Sequence, residues 1–380
     1  MLVLLAPDKF KECLTASEAA KAMDRGIRRN CPGVKTIRMP AADGGEGTVD
    51  TLVKALHGRT LTTPVRDPLG KTVRARWGVV RGGRTAVIEM AAASGLHLVP
   101  VHKRNPLLTS SEGTGQLIRS ALDHGCREIV LGIGGSATVD GGMGMAQGLG
   151  VRFFDRHGRR LGRGGRELLS IARIDISGID RRLSKIRVRV ACDVTNPLDG
   201  PKGAARIYGP QKGATPSMIE RLDRGLKQYS NLLSSLYHRD FSRVPGAGAA
   251  GGLGAGAMAF LGARLESGIG LVLDILQMEK SMRNADLTLT GEGRTDGQSA
   301  SGKVADGLGA IARKTGVPLV ILCGSMGPGH EKLYRRGVTS IFPIVPGPTT
   351  LRDSMQNTAE HLARTASQVV KLFGQKTLKG

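Results

Sequence analysis

Acidic and glycine-rich clusters recur along this sequence, and nearly all begin where a short apolar run ends. Asp8 follows residues 2–6, and Asp43-Gly44-Gly45-Glu46-Gly47 follows residues 34–39. Gly134-Gly135-Ser136-Ala137-Thr138 with Asp140-Gly141-Gly142 follows residues 128–131, and Asp193 follows residues 186–191. Gly291-Glu292-Gly293-Arg294 with Asp296 follows residues 286–290, and Gly324-Ser325 follows residues 317–323. Glycine lets backbone N–H groups approach an anion closely, and the start of a following helix favours negative charge. The hydroxyls of Ser136 and Thr138 add donors. These types suit a phosphate. Acids beside phosphates hold Mg²⁺ through one or two carboxylates, and another acid can accept the proton of an attacking hydroxyl.

Each candidate has a plainer competitor. A Gly-Gly pair also makes tight turns, and an Asp in a glycine-rich loop commonly caps its own turn. Lys9 and Lys11 could hold a carboxylate or phosphate as point charges, or simply be solvated. Arg294 and Lys212 are similar cationic candidates. The spacing Gly297-x-x-x-x-Gly302-Lys303 nearly matches a P-loop. Val304 stands where a Ser or Thr should hold magnesium, so a true P-loop is rejected, with Lys303 kept as a phosphate contact.

These clusters need strands to position them. Residues 2–6 read as a buried strand, and Thr15-x-x-Glu18 is a capping box opening a helix with Ala19, Ala20, Met23 and Ile27 on one face. Residues 34–39 form a second strand and 48–57 a second helix, so the pairing is parallel. Alternation from Val73 to Val79 and a turn at Gly82-Gly83 then announce a hairpin. The βα rhythm returns at Asp286 and closes on a helix over 351–373. We expect one α/β domain with a parallel sheet built from both chain ends, 1–70 plus 283–380, and an inserted mixed α/β domain over 71–282. Open parallel sheets bind ligands at the carboxyl ends of their strands, which puts the expected active site in the cleft between the domains.

Composition narrows the function. The 380 residues include 55 glycines, roughly twice average usage, without a collagen period. Aromatic residues are 3%, too few for stacking platforms on single-stranded nucleic acid. The five cysteines and eight histidines are dispersed, with no CxxC or HExxH, which argues against structural zinc and for a reducing compartment. No run reads as a signal peptide or spanning helix, and the Gly248, Gly252, Gly256 spacing reads as close packing of a soluble helix. The formal charge of +23 attracts anions. The basic stretch from Arg152 to Arg166 is interrupted by Phe153, Phe154, Leu161 and glycines, and reads as a strand pair with a charged outer face.

The clusters, in order, resemble the bacterial type-1 glycerate kinases. The resemblance rests on Ala6-Pro7-Asp8-Lys9-Phe10-Lys11 with Leu14-Thr15-Ala16, Ala42-Asp43-Gly44-Gly45-Glu46-Gly47-Thr48, the 134–142 loop and Cys192-Asp193-Val194-Thr195-Asn196-Pro197-Leu198. Tyr208-Gly209-Pro210-Gln211-Lys212-Gly213, Gly246-Ala247-Gly248 and 291–303 extend it. It implies two α/β domains, one flavodoxin-like and one resembling a restriction-endonuclease fold. It also implies ATP-dependent phosphorylation of D-glycerate with Mg²⁺ in the cytoplasm, 2-phosphoglycerate being the favoured product. On that reading Gly134, Gly135, Ser136, Thr138, Asp140, Gly141, Gly142, Gly291, Glu292, Gly293, Arg294 and Lys303 hold the nucleotide, and Glu292 and Asp296 the metal. Asp8, Lys9, Lys11, Gly44, Gly45 and Glu46 meet glycerate. Asp193 is the first proton acceptor and Asp43 the second. The partners are small molecules, with neither nucleic acid nor membrane expected. A kinase for another small hydroxy or sugar acid is the alternative, and a basic nucleic-acid-binding protein a more distant one.

Overall fold

The computed structural model describes residues 1–42 and 47–376, leaving Asp43, Gly44, Gly45 and Glu46 outside the described residues. Numbered along the chain, its strands begin with β1 (Leu2–Leu5), β2 (Lys35–Arg38), β3 (Arg59–Arg66), β4 (Thr72–Val80), β5 (Thr85–Glu89) and β6 (Glu128–Gly132). They continue with β7 (Arg152–Phe154), β8 (Arg173–Asp175), β9 (Arg187–Ala191), β10 (Arg264–Glu266), β11 (Leu287–Thr295), β12 (Leu319–Met326) and β13 (Ser340–Pro343). Two compact units result, Met1–Asp43 with Ile269–Gly380, and Gly44–Gly268.

In the first unit β1 pairs in parallel with β2 on one side and β11 on the other, and β12 and β13 continue outward. Renumbered within the unit, the order is 2-1-3-4-5, the flavodoxin-like arrangement, whose ligand site lies at the strand carboxyl ends where the order reverses, here between β1 and β11. Below the sheet the helix Ala16–Asn30 opens on the expected capping box, with Thr15 and Glu18 bonding reciprocally. Its face of Ala19, Met23 and Ile27 joins Val3, Leu5, Leu289 and Leu322 in the core, together with Leu362 and Val370 from the helix Thr358–Lys376. Only glycine fits at position 26, where a Cβ would lie 2.0 Å from the Ala363 carbonyl oxygen.

The second unit carries a six-stranded mixed sheet in the order β10-β9-β6-β5-β4-β3. β3, β4 and β5 are antiparallel, turning at Gly82 and Gly83 (φ +65° and +89°), whereas β5, β6, β9 and β10 are parallel. Trp77 anchors this core, its indole N–H donating to Thr63 Oγ1 at 2.9 Å. β7 and β8 pair separately.

The sequence boundaries at 70/71 and 282/283 are corrected by this pairing. Residues 59–66 follow the second unit because β3 is bonded along its length to β4. Residues from 269 onward join the chain ends because Ile269 and Leu273 close over Gly307, where a Cβ would sit 2.6 Å from Ile269. Among the described residues no helix is long and apolar enough to cross a membrane. Gly252 and Gly256 do serve close packing, since a Cβ at 256 would lie 2.6 Å from the Gly141 carbonyl oxygen.

Candidate active site

At the β1/β11 switch point the first unit opens a pocket of about 870 Å³. Its floor follows from two close approaches. Phe10 turns inward, hydrogen-bonded to Leu14 in both directions, and lies beneath Gly291, where any Cβ would be 2.5 Å from the Leu322 carbonyl oxygen. A Cβ at Gly293 would stand 3.6 Å from the Lys11 amide, so this glycine lies directly under the loop after β1. The Asp8 amide donates to the Gly291 carbonyl at 2.9 Å and ties the two strand ends together. The reading of 291–294 as a loop is thereby corrected: β11 continues to Thr295, held by β12 through Thr295↔Met326.

The pocket is lined by Lys9, Lys11, Arg294 and Lys303 against Asp8, Glu12, Glu292 and Asp296. Glu292 Oε1 accepts from Thr295 Oγ1 at 3.0 Å, and Asp296 Oδ2 lies 3.2 Å from Arg294 Nε. Burial raises the Glu292 carboxyl above its ordinary 4.5; Ser299, Thr295 and Lys303 pull it back, while Asp296 pushes it further up. Lys303 immediately precedes the helix Val304–Thr315. Eight expected site residues thus line one pocket: Asp8, Lys9, Lys11, Glu292, Gly293, Arg294, Asp296 and Lys303. Gly291 lies just beneath, buried.

Oxygen donors on Glu292 and Asp296 fit Mg²⁺, which takes one or two protein carboxylates and completes its shell with water and phosphate. No group of three or more His, Cys, Asp or Glu able to hold a metal exists among the described residues. A two-carboxylate Mg²⁺ site needs none.

The second unit treats the 134–142 loop differently. Gly134 and Gly135 are exposed beyond β6, Gly135 with φ +73°. Ser136, Thr138 and Asp140 are buried. Asp140 accepts from the Ser111 amide at 2.8 Å, the Ser111 hydroxyl and the amides of Gly142 and Gly144. Gly141 (φ +62°) lies against Tyr229 and Gly142 (φ +75°) against Gly256. Thr138, Asp140, Gly141 and Gly142, expected to face the nucleotide, are turned inward here, where they brace the loop. Lys212, also buried, donates through Nζ to Ser136 Oγ at 2.5 Å and the Thr138 carbonyl at 2.7 Å. Asp193 follows β9, and its Oδ1 accepts the Gly268 amide at 2.8 Å.

Sequence reasoning missed one wall of the pocket. Residues 344–358 contribute Ile344, Val345, Pro348, Leu351, Met355 and Thr358. The signal was present: Pro346-Gly347-Pro348 follows a strand, as the other clusters do.

The family model for glycerate kinases matches residues 3–374. The chain belongs to the glycerate kinase family. It is 48% identical over 369 residues to a glycerate kinase of Bacillus subtilis (strain 168), and 46% identical over 369 residues to a glycerate 2-kinase of Escherichia coli (strain K12). Each alignment covers 97% of both chains. A crystal structure described as a glycerate kinase 2 from Salmonella typhimurium LT2 superposes with a TM-score of 0.90 at 46% identity, covering 100% of this chain and 99% of that one.

Proposed function

We propose that this chain transfers the γ-phosphoryl group of ATP to a hydroxyl of D-glycerate with Mg²⁺, giving 2-phosphoglycerate and ADP. The observation that carries this reading is the pocket between β1 and β11, where four cationic and four carboxylate side chains face one space. Lys and Arg hold the anions, and the carboxylates would repel phosphate unless a divalent cation lay between them. Lys303 and Arg294 hold nucleotide phosphates, Lys9 and Lys11 the glycerate carboxylate, and Glu292 with Asp296 the metal. When bound, Mg²⁺ neutralises charge building on the transferring group. Positioning in line supplies most of the remaining catalysis.

The exposed Gly134-Gly135 turn, held by Ser136, is a further candidate for phosphate contact through its backbone. Asp193 is proposed to accept the proton of the attacking hydroxyl. Asp43, the second choice, and Gly44, Gly45 and Glu46, expected near glycerate, lie outside the described residues. The partners are small molecules and the working compartment the cytoplasm.

A coupled assay of ADP release across D-glycerate, erythronate and sugar acids tests the reading, with phosphorus NMR of the product. Mg²⁺-dependent release with D-glycerate and a 2-phosphate resonance are expected. Turnover with erythronate alone would move the activity to another small acid, and a 3-phosphate would correct the regiochemistry.

A further inference from the structure

The wall formed by residues 344–358 has a chemistry that the phosphoryl-transfer groups do not need. The chain leaves β13 at Pro343, and the Ile344 amide bonds to the Cys323 carbonyl at 2.9 Å, which fixes the start of the wall against the sheet. After Pro348 the short helix Leu351–Gln356 begins at Thr350, whose hydroxyl caps the Asp353 amide. Leu351, Ser354, Met355 and Thr358 all line the pocket. The spacing of Leu351, Ser354 and Met355, three and four residues, is that of one helical face, the pattern by which helices normally cover a core. Here that face is turned to the cavity. Leu351 is 77% exposed, and the helix Leu351–Gln356 buries none of its residues. A lone exposed leucine needs no explanation, but one that shares a cavity face with Met355, Pro348 and Val345 does.

The two reactants differ in the property that matters. Glycerate is polar over its whole surface and offers nothing to a leucine or methionine. ATP has a flat, largely apolar purine at one end and polyphosphate at the other. The pocket's lining offers both kinds of surface, with Lys9, Arg294 and Lys303 among its charged groups and Ile344, Val345, Pro348, Leu351 and Met355 among its apolar ones. Its volume of about 870 Å³ is within the roughly 300–1,000 Å³ of small-molecule and cofactor sites, and exceeds what a small hydroxy acid fills. We infer that the face made by Pro348, Leu351 and Met355 seats the purine base of the phosphoryl donor, with Ser354 beside it as a hydrogen-bonding group for the ring edge. This rests on the kinase reading above and adds to it the place of the nucleobase.

The test uses the full-length protein and separates base from phosphate. ADP and inorganic tripolyphosphate, which carries no base, are titrated calorimetrically into wild type, Leu351→Asp and the milder Leu351→Ser. ADP affinity is expected to fall at least about tenfold in Leu351→Asp, as for loss of an apolar pocket contact, and less in Leu351→Ser. Tripolyphosphate affinity and the KM for D-glycerate should stay within about twofold of wild type, and KM for ATP should rise with the ADP dissociation constant. The unfolding midpoint should not move, because the side chain is exposed. Unchanged ADP binding, or equal weakening of ADP and tripolyphosphate, overturns the base seat. A raised KM for glycerate with intact ADP binding would assign the wall to the acceptor instead. Wild-type protein that turns over no ATP would reject the kinase reading itself, a separate outcome.

Discussion

At the residue scale, Glu292 is a carboxylate whose proposed metal-binding role works against stability. Burial raises its carboxyl above 4.5, so the folded protein disfavours the ionised form. The sign follows from proton counting: between the unfolded and folded values the folded chain holds more protons, so stability falls as pH rises through that window and stays lower above it. Glu292→Gln mimics the protonated form. Its unfolding midpoint at pH 8 should equal or exceed that of wild type, with the difference vanishing as pH falls below about 4. Turnover should drop by roughly 10² or more, in line with losing a charge-stabilising contact, and half-saturating Mg²⁺ should rise. A destabilised variant with unaltered Mg²⁺ dependence would remove Glu292 from the metal site. Residue types alone singled out Glu292, which lines the pocket, and Asp140 and Thr138, which are buried in the second unit. A glycine-rich string tells where the backbone turns, but not which side chains it folds inward, and Asp140 is held by four donors inside the second unit.

At the element scale, the short turn Pro210–Lys212 is a brace: it delivers a lysine into the interior to bond the loop after β6. Burial pulls the Lys212 ammonium down to about 7 from 10.5, with Asp140 opposing the fall. Here the unfolded chain binds more protons between pH 7 and 10.5, so this group makes stability rise with pH across that window, and its cost is present in full below 7. Comparing unfolding midpoints of wild type and Lys212→Met from pH 6 to 10 isolates the effect, because the other titrating groups are common to both. The wild-type curve should gain on the variant as pH rises; parallel curves would show that Lys212 does not titrate there. Elements with strong local signals were legible: the capping box at Thr15 and Glu18 and the hairpin at Gly82-Gly83. The helix Ala249–Leu261 gave no amphipathic period because it is buried nearly all round. The expected single C-terminal helix is broken at Asn357, and that break is what sets Leu351–Gln356 along the pocket.

At the scale of the whole molecule, the remaining question is the charge of +23. The pocket does not account for it, since its lining balances Lys9, Lys11, Arg294 and Lys303 against Asp8, Glu12, Glu292 and Asp296. The excess lies elsewhere on the chain. Exposed arginines beyond the pocket include Arg28, Arg159 and Arg182, each already beside a carboxylate, and such surface pairs add little stability. A field from remote charge acts on encounter rather than on bound reactants: it draws anions toward the protein and is screened over about 8 Å at physiological ionic strength. Both reactants here are anions. Raising KCl from about 0.01 to 0.15 M at fixed free Mg²⁺ should therefore lower kcat/KM for ATP and for D-glycerate while leaving kcat nearly constant, since groups packed around the bound reactants are screened far less. If encounter limits kcat/KM, the slope should be steeper for ATP, the more highly charged partner. A kcat that falls in parallel with kcat/KM would place the salt effect inside the pocket, on contacts such as Arg294–Asp296, and a flat response in both would show that the excess charge does not steer the reactants.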